Sequence, residues 1–545
     1  MPDPNIPVSP EGGTASPGGI PRRTVTRAAA WSVPVAMAVV ATPLAAASGG
    51  QSGTIVFDYP EYVTGPGMVY GTITGKVIPT PGTALPASIT LGYPNTWGGP
   101  TTVSVNVDGT FSVVGVTAPP NVGSATLTAS AQNFTSGTTK LTVLQNAVPP
   151  ATDGIVWGEN LDVTLFRGNA STLEKYAVPA EGLRGAGTLA ASSVIAMAGG
   201  YRGVNSYLIR SDNTLWSHGD GGNATAPGTN QPVFYAGQFS FSGSTALFTG
   251  ENFVDVVGFT GGGYVLTTHG RIFSWGYNSG TGSLGNGTFG PDTNIPKLVT
   301  IPKPDIFVTA ISASYTGGIA LDSKGRVWAW GINDLSDLGT GLTGNQSIMK
   351  PVVLSDGTTQ LSGVTQIRGK FKGGYALRSD GTVYSWGDGT GYMNGNGLLT
   401  NQNYAAPVLT GPGTTLTGIK LLPKFYHEAY HSAALGTNNV LYTWGYGSYF
   451  VHDPASVANR QYATPYSGSL PTGTITDVAL SYYGIHIRLS DGTSWNWGDG
   501  DYGQDGNGTL NTPQRTPVQT LTGPGTPAII GGFFPNSHGG VIAHK

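Results

Sequence analysis

The sequence contains no cysteine and little charge. None of its 545 residues is cysteine, and charged side chains make up 10%, compared with about 25% in an average soluble domain. Without cysteine the chain has no disulfide framework, no thiolate zinc ligand and no cysteine nucleophile. Its 26 basic and 29 acidic side chains give a formal net charge of -3, so the electrostatic footprint of a nucleic-acid partner is missing.

Glycine and proline are abundant instead, at 85 and 38 residues. Both disfavour long helices, glycine through its backbone freedom and proline through its missing N–H group. The hydrophobic fraction of 39% and the aromatic fraction of 10% are too high for a disordered chain. The composition therefore predicts a turn-rich, all-β protein, and the length allows more than one domain.

Residues 1–47 have the pattern of a disordered leader followed by an export signal peptide. A pair of arginines at positions 22 and 23 precedes an uncharged run over residues 28–47. The run ends in three alanines that fit the A-x-A cleavage rule, so we predict cleavage between Ala47 and Ser48.

The same run is a poor candidate for a membrane anchor. Pro34 and Pro43 interrupt it, whereas a spanning helix needs about 20 strongly apolar residues. The paired arginines suit twin-arginine export, but their flanking residues match that signal poorly, so the export route stays open. We expect a protein of bacterial type, secreted or attached to the cell surface, with no stable membrane span after cleavage.

Residues 52–146 consist of short alternating segments broken by Gly, Pro and Asn. The stretch from Val103 to Val113 is typical of two strands around an Asp108-Gly109 hairpin turn, and two further strands follow it. This pattern predicts an immunoglobulin-like β-sandwich, and it resembles the bacterial immunoglobulin-like modules of surface proteins. Pro149 and Pro150 then mark a linker.

Residues 151–545 contain an internal repeat. A Trp-Gly dipeptide, with one His-Gly variant, recurs at intervals of 53 to 61 residues. The signature residues are Trp157, Gly158, Gly219, Trp275, Gly276, Trp330, Gly331, Trp386, Gly387, Trp444, Gly445, Trp497 and Gly498. A strand-turn-strand phrase precedes each dipeptide from the second onward, and a glycine-rich loop and a further strand follow. Four-stranded units of this length are typical blades of a β-propeller, in which the tryptophans would anchor the sheets.

The two ends of this region complement each other. The stretch from Ala528 onward supplies the first two strands of a unit, and the stretch from Ala151 begins at the third strand. Pairing the two would complete one blade and leave no exposed sheet edge. The sequence therefore predicts a seven-bladed β-propeller closed by its N- and C-terminal strands.

These units resemble the regulator-of-chromosome-condensation repeat family, whose repeats carry a Trp-Gly, a glycine-rich turn and a following proline. The resemblance covers about residues 151–545 and is best over Trp275–Pro296, Trp386–Pro407 and Trp497–Pro517. It implies a β-propeller. The name-giving member is a guanine-nucleotide exchange factor for a small nuclear GTPase, an activity that the export signal disfavours here. Propellers host unrelated functions, so the resemblance does not assign one.

One segment matches a zinc motif. His427, Glu428 and His431 form H-E-x-x-H, which on a helix would hold zinc and supply a general base. In the neighbouring units the equivalent place is a strand-turn-strand, where the spacing of the two imidazoles on one helical face is lost. We therefore expect no metal here.

A second segment looks faintly like a calcium loop. Asp499, Asp501, Asp505 and Asn507 lie close together in sequence, but they lack the spacing and the closing glutamate of the helix-loop-helix calcium motif. Other units have their glycine-rich turn at this place, which favours solvated turn residues. The sequence predicts no catalytic residue, no metal and no cofactor.

The unit that contains Trp444 departs from the repeat and supplies the candidate binding site. It is the fifth complete unit, counted from the unit of Gly219, and is called the fifth unit below. Residues 446–466 replace its glycine-rich turn, and residues 425–431 replace its upstream Gly-Gly turn. In an antiparallel four-stranded blade both turns leave at the same end, so the two segments should meet. The predicted ligand patch is Tyr426, His427, Glu428, Tyr430, Tyr446, Tyr449, Phe450, His452 and Asp453. Exposed aromatics beside polar groups suit a saccharide or a partner protein; local packing in a degenerate repeat is the alternative.

The sequence thus predicts an exported, non-catalytic binding protein whose partner is an extracellular protein or a polysaccharide. A polysaccharide hydrolase or lyase on the same scaffold is one alternative; a hydrolase would need two carboxylates about 5–10 Å apart. A structural spacer without a ligand is another, and nucleotide exchange is a third.

Overall fold

The computed structural model describes residues 52–159, 173–179, 182–183, 187–188, 193–199, 205–219, 233–315, 317–425, 429–481, 483–501, 503–510, 512–533 and 540–544. Regular structure in these residues is almost entirely β, so the all-β prediction is confirmed. The helical segments among them are single 3-10 turns at Gly243–Thr245, Thr390–Tyr392 and Ser448–Phe450. None of these described helices has the length and apolar character needed to span a bilayer. The predicted leader and its cleavage site at Ala47 and Ser48 lie outside the described residues.

The N-terminal domain consists of two sheets that share one hydrophobic core. Its strands are β1 (Gly53–Phe57), β2 (Glu61–Thr64), β3 (Ile73–Pro79), β4 (Ser88–Gly92), β5 (Thr102–Ser104), β6 (Thr110–Val113), β7 (Gly123–Ser130), β8 (Phe134–Thr135) and β9 (Gly137–Val143). They are ordered β6-β3-β1-β8 and β2-β9-β7-β4-β5. Alternate residues of the strands point inward, and the side chains of Ile73, Leu127 and Leu141 meet in the core.

The turn at Asp108-Gly109 is present, but the predicted hairpin pairing was wrong. β5 pairs with β4 and β6 pairs with β3, so the chain crosses here from one sheet to the other. The Thr110 N–H donates to the Asp108 carboxylate at 3.0 Å, which explains the strong local turn signal. Local sequence specifies such a turn, whereas the burial of Phe111 in the shared core decides which strand β6 joins.

The remaining strands follow the repeat. They are β10 (Gly154–Glu159), β11 (Leu173–Pro179), β12 (Gly182–Leu183), β13 (Gly187–Thr188), β14 (Val194–Gly199), β15 (Asn205–Arg210), β16 (Leu215–Gly219), β17 (Val233–Gln238), β18 (Phe253–Phe259), β19 (Gly262–Thr267), β20 (Ile272–Gly276), β21 (Thr293–Leu298), β22 (Val308–Ala313), β23 (Gly317–Asp322), β24 (Val327–Gly331), β25 (Gln346–Pro351), β26 (Val364–Lys370), β27 (Gly373–Arg378), β28 (Val383–Gly387), β29 (Gln402–Pro407), β30 (Leu409–Gly411), β31 (Thr414–Thr415), β32 (Ile419–Leu421), β33 (Lys424–Phe425), β34 (His431–Gly436), β35 (Leu441–Gly445), β36 (Arg460–Pro465), β37 (Ile475–Leu480), β38 (Gly484–Leu489), β39 (Ser494–Gly498), β40 (Gln514–Gln519), β41 (Leu521–Gly523), β42 (Thr526–Pro527), β43 (Gly532–Phe533) and β44 (Gly540–His544).

Most of these strands form four-stranded antiparallel sheets in chain order. In β14–β17, β18–β21, β22–β25 and β26–β29, each strand pairs with the next. The sheets β32-β34-β35-β36 and β33-β37-β38-β39-β40 follow, and β12-β13, β30-β31 and β41-β42 are short pairs. The second strands, such as β19 and β23, are buried along their whole length, whereas the fourth strand β21 is largely exposed. This explains why the second strands are continuous apolar runs rather than alternating ones.

The two ends of the repeat region pair as predicted. β10 pairs antiparallel with β44, from Gly154 opposite His544 to Gly158 opposite Gly540. β43 pairs with β44 on the other side, which gives a sheet of order β11-β10-β44-β43. One sheet is therefore built from segments that are nearly 400 residues apart in sequence.

The Trp-Gly signature has a structural cause at each of its two positions. Trp275, Trp330, Trp386, Trp444 and Trp497 are fully buried, with 0% exposure. The indole N–H groups of three of them donate across the sheet boundary, for example from Trp444 to the Met393 carbonyl at 3.1 Å. The glycines that follow adopt positive φ angles between 93° and 118°. Trp157 and Gly158 lie in β10, and Gly219 ends β16.

Replacement of Gly387 by alanine is expected to destabilise the repeat region by roughly 2–4 kcal/mol. Gly387 has a φ of 93°, and a Cβ there would collide with the Lys372 carbonyl oxygen. Gly411→Ala is the matched control, because no described atom lies within 4 Å of its Cβ position. Urea unfolding measures both changes. Equal midpoints for the two variants would contradict the steric explanation of the repeated glycine.

The N-terminal domain is docked against one end of two sheets. The Asn146 amide donates to the carbonyl oxygens of Thr267 and Val308, each at 3.0 Å, and the Lys324 ammonium lies 3.2 Å from the Glu61 carboxylate. Thr267 ends a second strand, Val308 begins a first strand and Lys324 lies in a turn between a second and a third strand. In an antiparallel sheet these positions share one end. The turns between first and second strands, and between third and fourth strands, lie at the other end.

Candidate functional site

The fifth unit differs from its neighbours in the path of its first strand. β32 pairs with β34 inside its own sheet, but β33 pairs in parallel with β37 of the next sheet. Pro423 separates the two segments, and its missing N–H group cannot continue the ladder. The Arg368 side chain donates to the Pro423 carbonyl at 2.9 Å and holds the break in place. Tyr426, His427 and Glu428, which follow β33, lie outside the described residues.

Aromatic rings from the two deviant segments meet at the predicted place. The Tyr430 and Tyr446 ring centroids are 6.4 Å apart, and Tyr446 is 40% exposed. Tyr449 stacks on Tyr483 of the next sheet, with 4.8 Å between the centroids and 26° between the ring planes. The sequence prediction did not include Tyr483.

The backbone of Tyr449 is strained. Its φ is 54°, a left-handed conformation that costs a non-glycine residue about 1–2 kcal/mol. Glycine occupies the equivalent position of the fourth unit, at Gly391, with a φ of 64°. Tyrosine thus replaces a residue suited to this backbone and places its ring on Tyr483. Such local strain is typical of functional positions.

The other predicted patch residues are placed differently. His452 is fully buried, and its Nε2 lies 3.2 Å from the Gly445 carbonyl oxygen. It occupies the place of the buried Leu338 in another unit, so it cannot line a surface patch. The Asp453 carboxylate accepts a hydrogen bond from the Ala455 N–H at 2.8 Å in a local turn.

Phe450 is covered by a neighbouring strand. The guanidinium of Arg515 lies 4.1 Å from the centre of its ring. The cation is therefore satisfied by an aromatic face. Phe450 contributes to this contact between two sheets rather than offering a free ring.

The rings of Tyr430, Tyr446, Tyr449 and Tyr483 belong to a longer row. The Tyr315 ring lies 5.1 Å from Phe371, and Phe371 lies 4.7 Å from Tyr430. Tyr446 then contacts Tyr483 at 6.4 Å. We call this row the aromatic strip; its members are Tyr315, Phe371, Tyr430, Tyr446, Tyr449 and Tyr483. It passes along four consecutive sheets, at the end opposite to the N-terminal domain.

A sequence signal for the strip exists. Tyr315, Phe371, Tyr430 and Tyr483 each lie one or two residues before the second strand of a unit. The signal is hidden because the surrounding residues differ from unit to unit. Only a comparison of the units position by position brings it out.

A cavity of about 250 Å³ continues the strip at Tyr315. Its lining is Phe259, Thr260, Gly261, Tyr277, Ser283, Tyr315 and Ile332. The Thr260 N–H donates to the Tyr315 carbonyl at 3.1 Å, which ties the two neighbouring turns together. Tyr277 is 37% exposed at the rim.

His431 of the zinc-like motif begins a β-strand rather than lying on a helix. It pairs with Gly445 in the ladder, and its Nε2 lies 3.1 Å from the Gly484 carbonyl oxygen. Burial lowers the pKa of His431 to about 4, so its imidazole is neutral at physiological pH. His427 and Glu428 lie outside the described residues.

The calcium-like segment is a turn, but it is not solvated as expected. Asp499 and Asp505 are both buried, and Asp505 stands where another unit places the buried Leu338. Burial raises the pKa of Asp499 to about 6 and that of Asp505 to about 8. The Asp499 carboxylate accepts the Asp501 N–H, and Asn507 accepts the Thr509 N–H. In the described part of the chain, no group of three or more His, Asp or Glu side chains is arranged to hold a metal ion.

A buried lysine lies beneath the strip. Lys370 donates from Nζ to the Asp388 backbone oxygen at 2.8 Å and to Asn394 Oδ1 at 2.5 Å. Burial lowers its pKa to about 7, against the opposing effect of the Asp388 carboxylate. Its charge is therefore held inside the sheet and does not reach the surface of the strip.

Comparisons with known proteins show which proteins the chain resembles. No protein-family model matches the chain. The human E3 ubiquitin-protein ligase HERC2 is 29% identical over 263 residues, which are 47% of this chain and 5% of HERC2. The RCC1 domain-containing protein RUG3, mitochondrial, of Arabidopsis thaliana is 26% identical over 320 residues, 57% of this chain and 66% of RUG3. The chain thus spans a small part of HERC2 and about two thirds of RUG3.

The fold has solved counterparts. The structure of Prp20p from Saccharomyces cerevisiae aligns with a TM-score of 0.55 and 15% identity, over 73% of this chain and 92% of that one. A likeness at this identity concerns the fold alone. Together with the sequence relatives, it supports an RCC1-like repeat β-propeller as the class of this protein.

Proposed function

We propose that the protein is an exported, non-catalytic binding protein of bacterial type, whose aromatic strip takes up an extracellular protein or polysaccharide. In this proposal an immunoglobulin-like domain carries a seven-bladed propeller. The four-stranded sheets and the pairing of β10 with β44 support the propeller, and the two-sheet N-terminal domain supports the sandwich. The leader pattern in residues 1–47 supports export.

The aromatic strip is the observation that carries the binding function. It consists of partly exposed rings from four sheets. Tyr449 has a strained, left-handed backbone and stacks its ring on Tyr483. The docked N-terminal domain lies at the other end of the sheets, so it leaves the strip accessible. Rings grouped in this way are typical of recognition surfaces. Prp20p, a fold neighbour, is described by its binding to Gsp1p and histones, which supports a partner-binding role for the scaffold.

The double variant Tyr446→Ala, Tyr449→Gly is expected to lower affinity for cell-envelope fractions at least tenfold. Tyr446 is exposed, and glycine suits the left-handed backbone at position 449, so the melting temperature should change little. Titration of the purified chain against envelope fractions measures the affinity, and circular dichroism measures the melting temperature.

Phe289→Ala is the matched control, because Phe289 is an exposed aromatic outside the strip. It should bind as the parent does. Saturable binding that survives in the double variant would remove the strip from the function. Absence of saturable binding in the parent would refute the binding function itself.

A further inference from the structure

We infer that the strip binds a neutral, linear polysaccharide laid along its rings, with one sugar residue entering the cavity at Tyr315. The inference rests on the proposed binding function and specifies its ligand class.

The first argument is the unbroken succession of the rings. Neighbouring centroids are 4.7 to 6.4 Å apart, so the strip is a continuous row rather than a single pocket. The row advances by about one ring for each sheet. A ligand that uses all of it must be extended and must present the same kind of surface repeatedly, as a chain of sugar rings does.

The second argument is the chemistry of the rings. Five of the six strip residues are tyrosines, which combine an apolar ring face with a hydroxyl group. A pyranose offers the complementary combination, with C–H groups on its faces and hydroxyl groups around its edge. Tyrosine ring faces can therefore pack against the sugar, and the phenol group of the exposed Tyr446 can exchange hydrogen bonds with its hydroxyls.

The third argument is that few charged groups near the strip are free to meet a ligand. Lys370, which precedes Phe371 in sequence, and Asp388, which follows the Trp386-Gly387 pair, are buried and bonded to protein groups. Arg515 is held on the Phe450 ring. Lys372 is the half-buried cation beside Phe371. Because a single cation among the described residues beside the strip cannot match a polyanion, the strip favours a neutral polymer over an acidic polysaccharide or an acidic peptide.

The fourth argument is the cavity. Its volume of about 250 Å³ lies below the usual range of about 300–1,000 Å³ for drug-sized ligands. It therefore accommodates one ring rather than a whole oligosaccharide. Tyr277 and Phe259 border it, and Tyr315 belongs to both cavity and strip. A terminal sugar residue enters here while the rest of the polymer follows the strip.

Calorimetric titration of the full chain with neutral oligosaccharides of increasing length tests the inference. The panel holds linear glucans, xylans, mannans and galactans, with polygalacturonate as the acidic comparison and a proline-rich peptide as the protein-like one. We expect affinity to rise with chain length for a neutral series and to fall at least tenfold in Tyr446→Ala. Tyr446→Phe keeps the ring and should retain affinity within about threefold.

Treatment of the envelope fractions with periodate, which oxidises sugars, or with protease separates failure of this inference from failure of the proposed function. Binding that periodate destroys and protease spares supports a polysaccharide, even when the panel lacks the right linkage. Binding that protease destroys and periodate spares overturns the inference but leaves a protein-binding function. Binding to polygalacturonate or to the peptide alone also overturns it. Absence of all binding removes both proposals.

Discussion

Deletion of residues 529–545 is expected to abolish the cooperative thermal unfolding of the repeat region. The deletion removes β43 and β44 and exposes the edge of β10 along five residue pairs. It also removes the Phe533 N–H that donates to the Asp477 carboxylate at 3.0 Å, and the Ile530 carbonyl that accepts from Arg488 at 2.6 Å. The sheets at both ends of the repeat region would then lose partners at once, and an unpaired strand edge promotes aggregation.

Differential scanning calorimetry and limited proteolysis measure this effect. The N-terminal domain has its own core, so it should keep a separate transition and serve as an internal control. A synthetic peptide of residues 529–545, added in trans, should restore part of the lost cooperativity. A truncated chain that melts in one transition at the parent temperature would show that the pairing of the ends does not stabilise the fold.

Acidification is expected to destabilise the protein through three buried histidines. Burial lowers the pKa of His431 to about 4 and that of His486 to about 3. The pKa of His452 falls well below its usual range, mainly through burial and further through His431 and Arg460. An unfolded histidine has a pKa near 6.5, so below that pH the unfolded chain binds protons that the folded chain does not. The stability is complete above about pH 6.5 and declines as the pH falls toward the folded values.

The loss should reach about 2 kcal/mol for each histidine between about pH 7.5 and pH 5. The double variant His431→Gln, His486→Gln retains amide groups that can donate to Gly484 and Ser481. Because it lacks two of the three histidines, its loss of unfolding free energy over this pH range should be smaller than that of the parent by about 4 kcal/mol. Urea unfolding across this pH range measures the slope. Buried Asp499 and Asp505 have raised pKa values and act in the opposite sense, so the parent and the variant must be compared at each pH. If the unfolding free energies of the parent and the variant change in parallel with pH, the buried histidines are not the cause of the acid destabilisation.

The repeat and its spacing predict much of the fold. The Trp-Gly dipeptide marks the end of each third strand, because the tryptophan is needed in the core and the glycine is needed for its positive φ. The pairing of β10 with β44 also follows from the sequence, since each end lacks the strands that the other supplies. The partners of β5 and β6 did not follow, because burial in a shared core decides them.

The site was predictable in part. Unit five stands out in the sequence, and Tyr430 and Tyr446 do meet. The inward position of His452 was missed because a histidine suggests an exposed polar group, whereas this one fills the place of a leucine. Phe371, Tyr315 and Tyr483 were missed because each belongs to a different unit, and only the packing of neighbouring sheets brings their rings together.

The sequence by itself determined the β class, the four-stranded unit and the complementarity of the two ends, since each depends on local spacing and on backbone angles that particular residues require. The tertiary structure decided which aromatic rings form one strip, which acidic and imidazole groups are buried, and which end of the sheets the N-terminal domain covers. These depend on contacts between residues far apart in sequence. No local pattern encodes such contacts, because they arise only when the sheets pack against each other.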